Sequence, residues 1–245
     1  MKKIPVIVVV GPTASGKTAL SIEIAKKLNG EIISADSMYI YKGLDIGTAK
    51  PNCEEMQGVK HHLIDVVNPS DNFTVSDYKH LATPIINDLI SKGKIPIVCG
   101  GTGFYINSLL YDLSYGKGRE NLFAREKYKK LAEEKGNNYV YEILKDVDPV
   151  SAEKLHFNDL KRVIRALEIY ENGCKKSDII DDFTPKYDYF AYSISYPREK
   201  LYERINNRVD VMFKNGLLEE IINLKIMNKF YSLKQDFSQI REKFY

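Results

Sequence analysis

Cysteine is scarce in this sequence. The 245 residues hold three, Cys53, Cys99 and Cys174, and they lie far apart. No CxxC pair and no His/Cys cluster offers zinc a site, and an odd count argues against a disulfide framework. A reducing cytoplasm fits that usage. Long apolar runs are also lacking. None approaches the ~20 residues that span a bilayer, so no membrane span is expected. The opening MKKIPVIVVVG pairs two lysines with a short apolar run, as a secretory signal does. That run passes into a glycine loop within ten residues, which a signal peptide does not do. Internal repeats and low-complexity segments are absent. Charge of one sign is not in large excess. A net charge of +3 permits a nucleic-acid partner without indicating one.

What is present describes a folded chain. Hydrophobic residues make up 44% and charged residues 28%. That is enough for one sizeable domain, or a core with a smaller appended unit, and it is not the composition of a disordered chain.

The stretch VVVGPTASGKTAL, residues 8–20, carries the sharpest local signal. Gly11, four intervening residues, then Gly16, Lys17 and Thr18 have the spacing of a phosphate-binding loop. The preceding IPVIVVV reads as a strand buried on both faces of a parallel sheet. Leu20, Ile24 and Leu28 then repeat at helical spacing, and Asn29-Gly30 ends the helix. The backbone of Gly11, Pro12, Thr13, Ala14, Ser15 and Gly16 would face an anion at a helix N-terminus. Lys17 adds a mobile positive charge, and the Thr18 hydroxyl is suited to magnesium. A glycine-rich turn with no ligand is the plainer alternative.

EIIS, 31–34, is the next strand, completing a βαβ unit. The segment 38–52 reads as a long, irregular loop of the functional kind. HHLIDVV, 61–67, is a short strand candidate. Thr74 and Asp77 form the capping box of a helix that Pro84 should kink or split. IPIVCGG, 95–101, is another buried strand, running into a glycine-rich turn. From Asp112 to Asp182 strand signals vanish and apolar residues take helical spacing, which reads as an inserted helical domain. YDYFAYSISY, 187–196, returns to strand, with Tyr187, Tyr189, Ala191 and Ser193 alternating against Asp188, Phe190, Tyr192 and Ile194. A long helical stretch is expected from Arg198 to about Asn228. The domain reading is a core of residues 1–111 and 186–245 around an insert of residues 112–185.

Further residues carry chemistry. Asp36 follows a strand at its carboxyl end, where open α/β sheets bind ligands. It reads equally as a general base, a magnesium ligand through water, or a turn aspartate. GGTGFY, 100–105, also ends a strand, and Thr102 offers a hydroxyl; a tight strand-to-helix turn is the alternative. Lys161, Arg162 and Arg165 cluster on the insert. Arg204 and Arg208 lie one helical turn apart beside Leu201, Ile205, Val209 and Met212. A solvated helix face accounts for a single arginine as well. No apolar strand ends in an obvious Walker-B aspartate. Asp65 is the nearest, after a weak strand, so an ATP-hydrolysing motor is not expected.

Several motifs occur together and in order: GPTASGKT, ISADSMYIYKGLDIGTAKP, HHLIDVVNP, GGTGFY, DVDPVSAEKLHFNDLKRVIRALE and LYERINNRVDVMFKNGLLEE. Together they resemble the tRNA dimethylallyltransferases, also called tRNA isopentenyltransferases, over roughly residues 4 to 225. The resemblance implies an α/β fold with a P-loop NTPase-like parallel sheet, flanked by helices and carrying the helical insert. It implies transfer of a dimethylallyl group from dimethylallyl pyrophosphate to the N6 amine of adenosine at tRNA position 37, with magnesium assisting. Asp36 takes the role of general base. The phosphate loop holds pyrophosphate, and Lys17, Thr18, Thr102 and Arg208 receive the departing charge. Arg208 rather than Arg204 matches the family arginine. Asp36, Ser37, Met38 and Tyr39 meet the tRNA at the mouth of the site, and Lys161, Arg162, Val163, Ile164 and Arg165 belong to its grip on the anticodon stem-loop. A cytoplasmic monomer is expected.

The sequence departs from the family in two places. Lys60 stands where a proline is usual, and FSQIREKFY, at the end, matches the family's next segment poorly. Part of the tRNA-binding surface is expected to be missing beyond Tyr245. Two other readings stay open: an ATP-dependent small-molecule kinase on the same fold, and a non-catalytic fragment that binds pyrophosphate or RNA.

Overall fold

The computed structural model describes residues 5–113 and 120–226. The chain divides into two compact units, Met1–Tyr111 with Pro185–Tyr245, and Asp112–Thr184. Its strands are β1 (Val6–Val10), β2 (Gly30–Ser34), β3 (His61–His62), β4 (Ile95–Gly100), β5 (Tyr111–Asp112), β6 (Asp182–Pro185) and β7 (Tyr189–Ser193). The helices of the first unit are α1 (Lys17–Leu28), α2 (Cys53–Met56), α3 (Val75–Ser91) and α4 (Gly103–Leu110). The inserted unit holds α5 (Leu122–Lys135), α6 (Asn137–Val147), α7 (Pro149–Ala152) and α8 (Leu160–Glu171). The first unit resumes with α9 (Arg198–Lys214) and α10 (Leu217–Ile226).

Five strands form one sheet in the order β3-β2-β4-β1-β7, and every neighbouring pair is parallel. Side chains alternate between the faces of a strand, and both faces are covered here. Val6, Val8, Ile33 and Val98 pack against Tyr78, Ala82 and Ile86 of α3 and Ile106 and Leu109 of α4. Ile7, Val9, Ile32 and Ile97 pack against Ile22 and Ala25 of α1. Two-sided burial is why the strand runs are continuously apolar. β7 differs. It is an edge strand, and Phe190 and Tyr192 are exposed.

Tertiary packing revises several local expectations. Helix α1 buries Ser21, Ile22 and Ala25, whereas Leu20 and Leu28 are exposed. Of the expected Leu20–Ile24–Leu28 line, Ile24 packs against the core of this face and the two leucines turn away from it. Pro84 does not split α3, which runs unbroken from Thr74, whose capping box with Asp77 is present. Only His61 and His62 of 61–67 pair as strand, because Leu63 and Asp65 take positive φ of 62° and 56° and turn the chain. The helical stretch expected from Arg198 is present as two helices up to Ile226, the last described residue. Gly216, at φ 96°, breaks it. Helix α2, opened by an Asn52–Glu55 capping box, is an element that the sequence reading lacks. FSQIREKFY lies outside the described residues.

The inserted unit has its own core, in which Tyr128, Val140, Leu144, Val163 and Leu167 are buried together. Glu168 is fully buried and accepts the Asn121 backbone N–H at 2.7 Å and Arg125 Nε at 3.0 Å. Arg165 pairs with the same carboxylate at 2.7 Å. Burial alone would raise the Glu168 pKa; these donors outweigh it and hold the carboxyl below its usual range. Val163 and Ile164, expected among the tRNA-binding residues, face inward. Their side chains are 0% and 5% exposed and belong to this core.

Candidate functional site

The site is built where β1, β2 and β4 end. After Val10 the chain wraps from Gly11 to Gly16 before α1 begins. Gly16 occupies the N-cap at φ 91°, and Ala14 is also left-handed at φ 60°. Such a turn aims successive N–H groups into one concavity at a helix N-terminus, where an anion is favoured. Gly11 has no room for a side chain: a Cβ there would lie 2.8 Å from the Ile194 carbonyl oxygen and 2.9 Å from Ser15 Oγ. Lys17 folds over the loop, its Nζ donating to the Pro12 carbonyl at 2.7 Å. Burial lowers the Lys17 pKa below the usual lysine value; Cys99 and Asp36 pull it back up, and Arg208 adds to the lowering.

Asp36 is both a turn residue and a cavity residue. Its Oδ1 accepts the Met38 N–H at 2.9 Å, and the residue lines the same cavity as Lys17. The neighbouring strand end holds it there. Gly100 approaches Ala35 so closely that a Cβ would sit 2.2 Å from the Ala35 carbonyl oxygen. Thr102 donates its backbone N–H to that carbonyl at 3.0 Å, and its Oγ1 accepts the Ser37 N–H at 3.0 Å. Thr102 is not among the cavity-lining residues. The structure therefore gives it a hold on the Asp36 turn.

Tyr39 donates its hydroxyl to the Ala49 carbonyl at 2.8 Å. Burial first, and the Asp36 charge second, push that hydroxyl up to about 12, so it stays protonated at neutral pH. The 38–52 segment has no helix or strand of its own, as expected, yet it is tied down. Lys50, with its side chain 4% exposed, donates to the Tyr41 carbonyl at 2.8 Å and pairs with Asp45 at 2.6 Å and Asp65 at 2.5 Å. Asp65 thus closes a loop instead of serving as a Walker-B residue.

Helix α9 supplies two arginines. Arg208 Nη2 donates to the Thr48 carbonyl at 2.7 Å, while its Nε is buried without a hydrogen-bond partner among the described residues. Arg204, which sequence reasoning ranked second, also lines the cavity. Its Nε donates to the Ala14 carbonyl at 2.7 Å, and its guanidinium lies 5.1 Å from the Tyr196 ring centroid. Cys99 lines the cavity too, a residue to which the sequence attached no role; nothing in IPIVCGG distinguishes it from a strand residue.

These groups surround a cavity of about 1030 Å³, at the upper end of small-molecule sites. Thr13 to Thr18, Asp36, Ser37, Met38, Tyr39 and Arg208 all line it, so the structure assembles most of the expected site within the first unit. Of the loop residues, Gly11 and Pro12 shape the turn and do not line the cavity. On the inserted unit, Lys161 and Arg162 are exposed. Arg162 pairs with Asp159 at 3.1 Å. Lys176 is close by: burial lowers its pKa, and the charges of Arg162 and Arg165 lower it further.

A parallel α/β sheet with a phosphate loop at its carboxyl edge, a carboxylate on the next strand and arginines opposite defines a phosphate-binding protein of the P-loop class. The chain belongs to the IPP transferase family, whose model matches residues 39–241. The tRNA dimethylallyltransferase of Acetivibrio thermocellus is 51% identical over 223 residues, covering 89% of this chain and 71% of the relative. That of Alkaliphilus oremlandii is 52% identical over 227 residues, covering 91% and 72%. The full-length tRNA isopentenylpyrophosphate transferase from Bacillus halodurans superposes with a TM-score of 0.63 at 40% identity, covering 92% of this chain and 71% of its own. A eukaryotic dimethylallyltransferase crystallised acting on tRNA gives a TM-score of 0.76 at 33% identity, covering 94% and 57%. No helix among the described residues is long and apolar enough to cross a membrane.

Proposed function

We propose that this chain transfers the dimethylallyl group of dimethylallyl pyrophosphate to the N6 amine of adenosine 37 in tRNA, next to the anticodon. One observation carries the reading. The phosphate loop and the Asp36 carboxylate line a common cavity, so a leaving group and a base are served together.

The residue types suit that reaction. The adenine amine is a weak nucleophile because its lone pair is delocalised into the ring. As its nitrogen bonds to C1 of the dimethylallyl group, the bond from C1 to the pyrophosphate oxygen breaks and that oxygen keeps the electron pair. The amine proton passes to the Asp36 carboxylate as general base. The N–H groups of the loop, Lys17 and Arg208 stabilise the charge that accumulates on pyrophosphate. Tyr39, protonated at neutral pH, serves as a donor and leaves the base role to Asp36.

Among the described residues no three His, Cys, Asp or Glu side chains group as metal ligands. The Thr18 hydroxyl, which lines the cavity, would hold a magnesium ion that arrives with pyrophosphate. Such an ion would supply charge neutralisation of the leaving group.

The adenine has to leave its stack to reach the cavity, where Ser37, Met38 and Tyr39, lining it beside Asp36, would meet it. Lys161 and Arg162, exposed on the inserted unit, are suited to RNA phosphates. Arg165 has a structural duty through Glu168, and its part in RNA binding is secondary.

The test is single-turnover transfer of labelled dimethylallyl groups to unmodified tRNA, with ATP offered in parallel. Transfer to tRNA with no phosphate release from ATP is the expected result. Phosphate release from ATP without transfer would favour the kinase reading.

A further inference from the structure

The 43–49 loop has no helix or strand to satisfy its backbone, and three of its N–H groups converge on one side chain. The Glu220 carboxylate on α10 accepts three consecutive N–H groups. Oε2 accepts from Asp45 at 2.9 Å and Ile46 at 2.7 Å, and Oε1 accepts from Gly47 at 2.9 Å. Hydrogen bonds to an ionised acceptor are about twice as strong as neutral ones. Gly47 permits the approach: a Cβ there would lie 3.3 Å from Glu220 Oε1 and 3.1 Å from Leu217 Cδ1. The break at Gly216 lets α10 leave the line of α9 and reach the loop. Leu224 of α10 buries against Leu44, with Met38 and Tyr41 packed beside them.

The same loop ends on the cavity wall. Just after the three gripped N–H groups come the Thr48 carbonyl, which receives Arg208, and the Ala49 carbonyl, which receives Tyr39. Arg208 therefore has its guanidinium held from a segment that is itself held by Glu220. The two residues lie on consecutive helices, and the loop bridges them.

We propose that Glu220 is a positioning residue for pyrophosphate binding, acting through the 45–48 backbone to orient Arg208. Glu220 does not line the cavity, so its effect is indirect. The proposal rests on the reading of this cavity as a pyrophosphate site. It does not depend on tRNA or on transfer, so its test can succeed where a transfer assay fails.

The experiment is a double-mutant cycle of Glu220→Gln and Arg208→Lys on the whole chain, read as binding of inorganic pyrophosphate with magnesium. Glutamine keeps the shape but turns one acceptor into a donor that faces an N–H. Glu220→Gln should weaken pyrophosphate about tenfold, within the range of coupled neighbours. In the Arg208→Lys background the same change should add almost nothing, because the group it positions is already lost. Losses that multiply in the double variant would overturn the proposal, as would unchanged affinity in a folded Glu220→Gln protein. If Glu220→Gln does not fold, Glu220→Asp retains the charge with a shorter reach. It should give a smaller loss that again vanishes in the Arg208→Lys background, and persistence of that loss would equally overturn the assignment.

Discussion

The Ser37 N–H donates to Thr102 Oγ1 at 3.0 Å, joining residues 65 apart in sequence. That bond fastens the turn carrying Asp36 to the end of β4. Thr102→Val removes the acceptor and keeps the shape. It should lower the transfer rate about tenfold, as expected for one hydrogen bond of ~1 kcal/mol or slightly more. Pyrophosphate affinity should be unchanged and Thr102→Ser should restore the rate. A weakened pyrophosphate affinity in Thr102→Val would instead place Thr102 on the leaving group.

Asp36→Asn should slow single-turnover transfer by roughly 10²–10⁴-fold, the contribution of a general base. Thermal protection by dimethylallyl pyrophosphate should persist, because the loop from Gly11 to Gly16 is untouched. Wild-type transfer by this variant would take Asp36 out of the chemistry.

Lys17→Ala should abolish that thermal protection. The amine is the one lysine Nζ placed over the phosphate loop among the hydrogen bonds of the described residues. Protection retained in full would assign the anion to the arginines and the backbone alone.

Gly100→Ala should destabilise the first unit by ~3 kcal/mol or more, because its methyl would meet the Ala35 backbone at 2.2 Å. Urea denaturation measures this. A backbone shift large enough to admit the methyl also moves Asp36, so transfer should fall with stability. A loss below 1 kcal/mol would show the two strands to be more pliant than their contacts imply.

Glu168 gives a pH signature in the inserted unit. Its folded pKa is held below the usual glutamate value, so the unfolded chain binds more protons as the pH falls. The stabilisation is complete above the unfolded pKa and is lost as the pH falls through the folded one. Glu168→Gln should flatten this acid limb and cost about 3–5 kcal/mol at neutral pH, since Arg125 and Arg165 lose a buried partner. An unaltered acid limb in melting experiments would show that the carboxylate is not the group responsible.

The elements that the sequence determined by itself are those with local causes. Three runs, those of β1, β2 and β4, were legible as strands, because a strand covered on both faces has to be largely apolar. The Thr74–Asp77 box and Asn29-Gly30 set helix ends through their own hydrogen bonds and backbone preferences. The phosphate loop was legible because glycine positions, lysine and threonine at that spacing fall between a buried strand and a helix. Asp36 was legible as a residue at a strand's carboxyl end, though not as base or turn former. Tertiary structure decided the rest, because the deciding contacts join residues far apart in the chain. Only packing could rotate α1 away from Leu20 and Leu28, or bury Val163 and Ile164 beside an exposed Arg162. The Gly216 break serves a loop about 170 residues earlier, by way of Glu220. Arg204 reaches the loop at Ala14 across 190 residues. A side chain's partner across such a distance is set by the fold, and neither spacing nor composition encodes it locally.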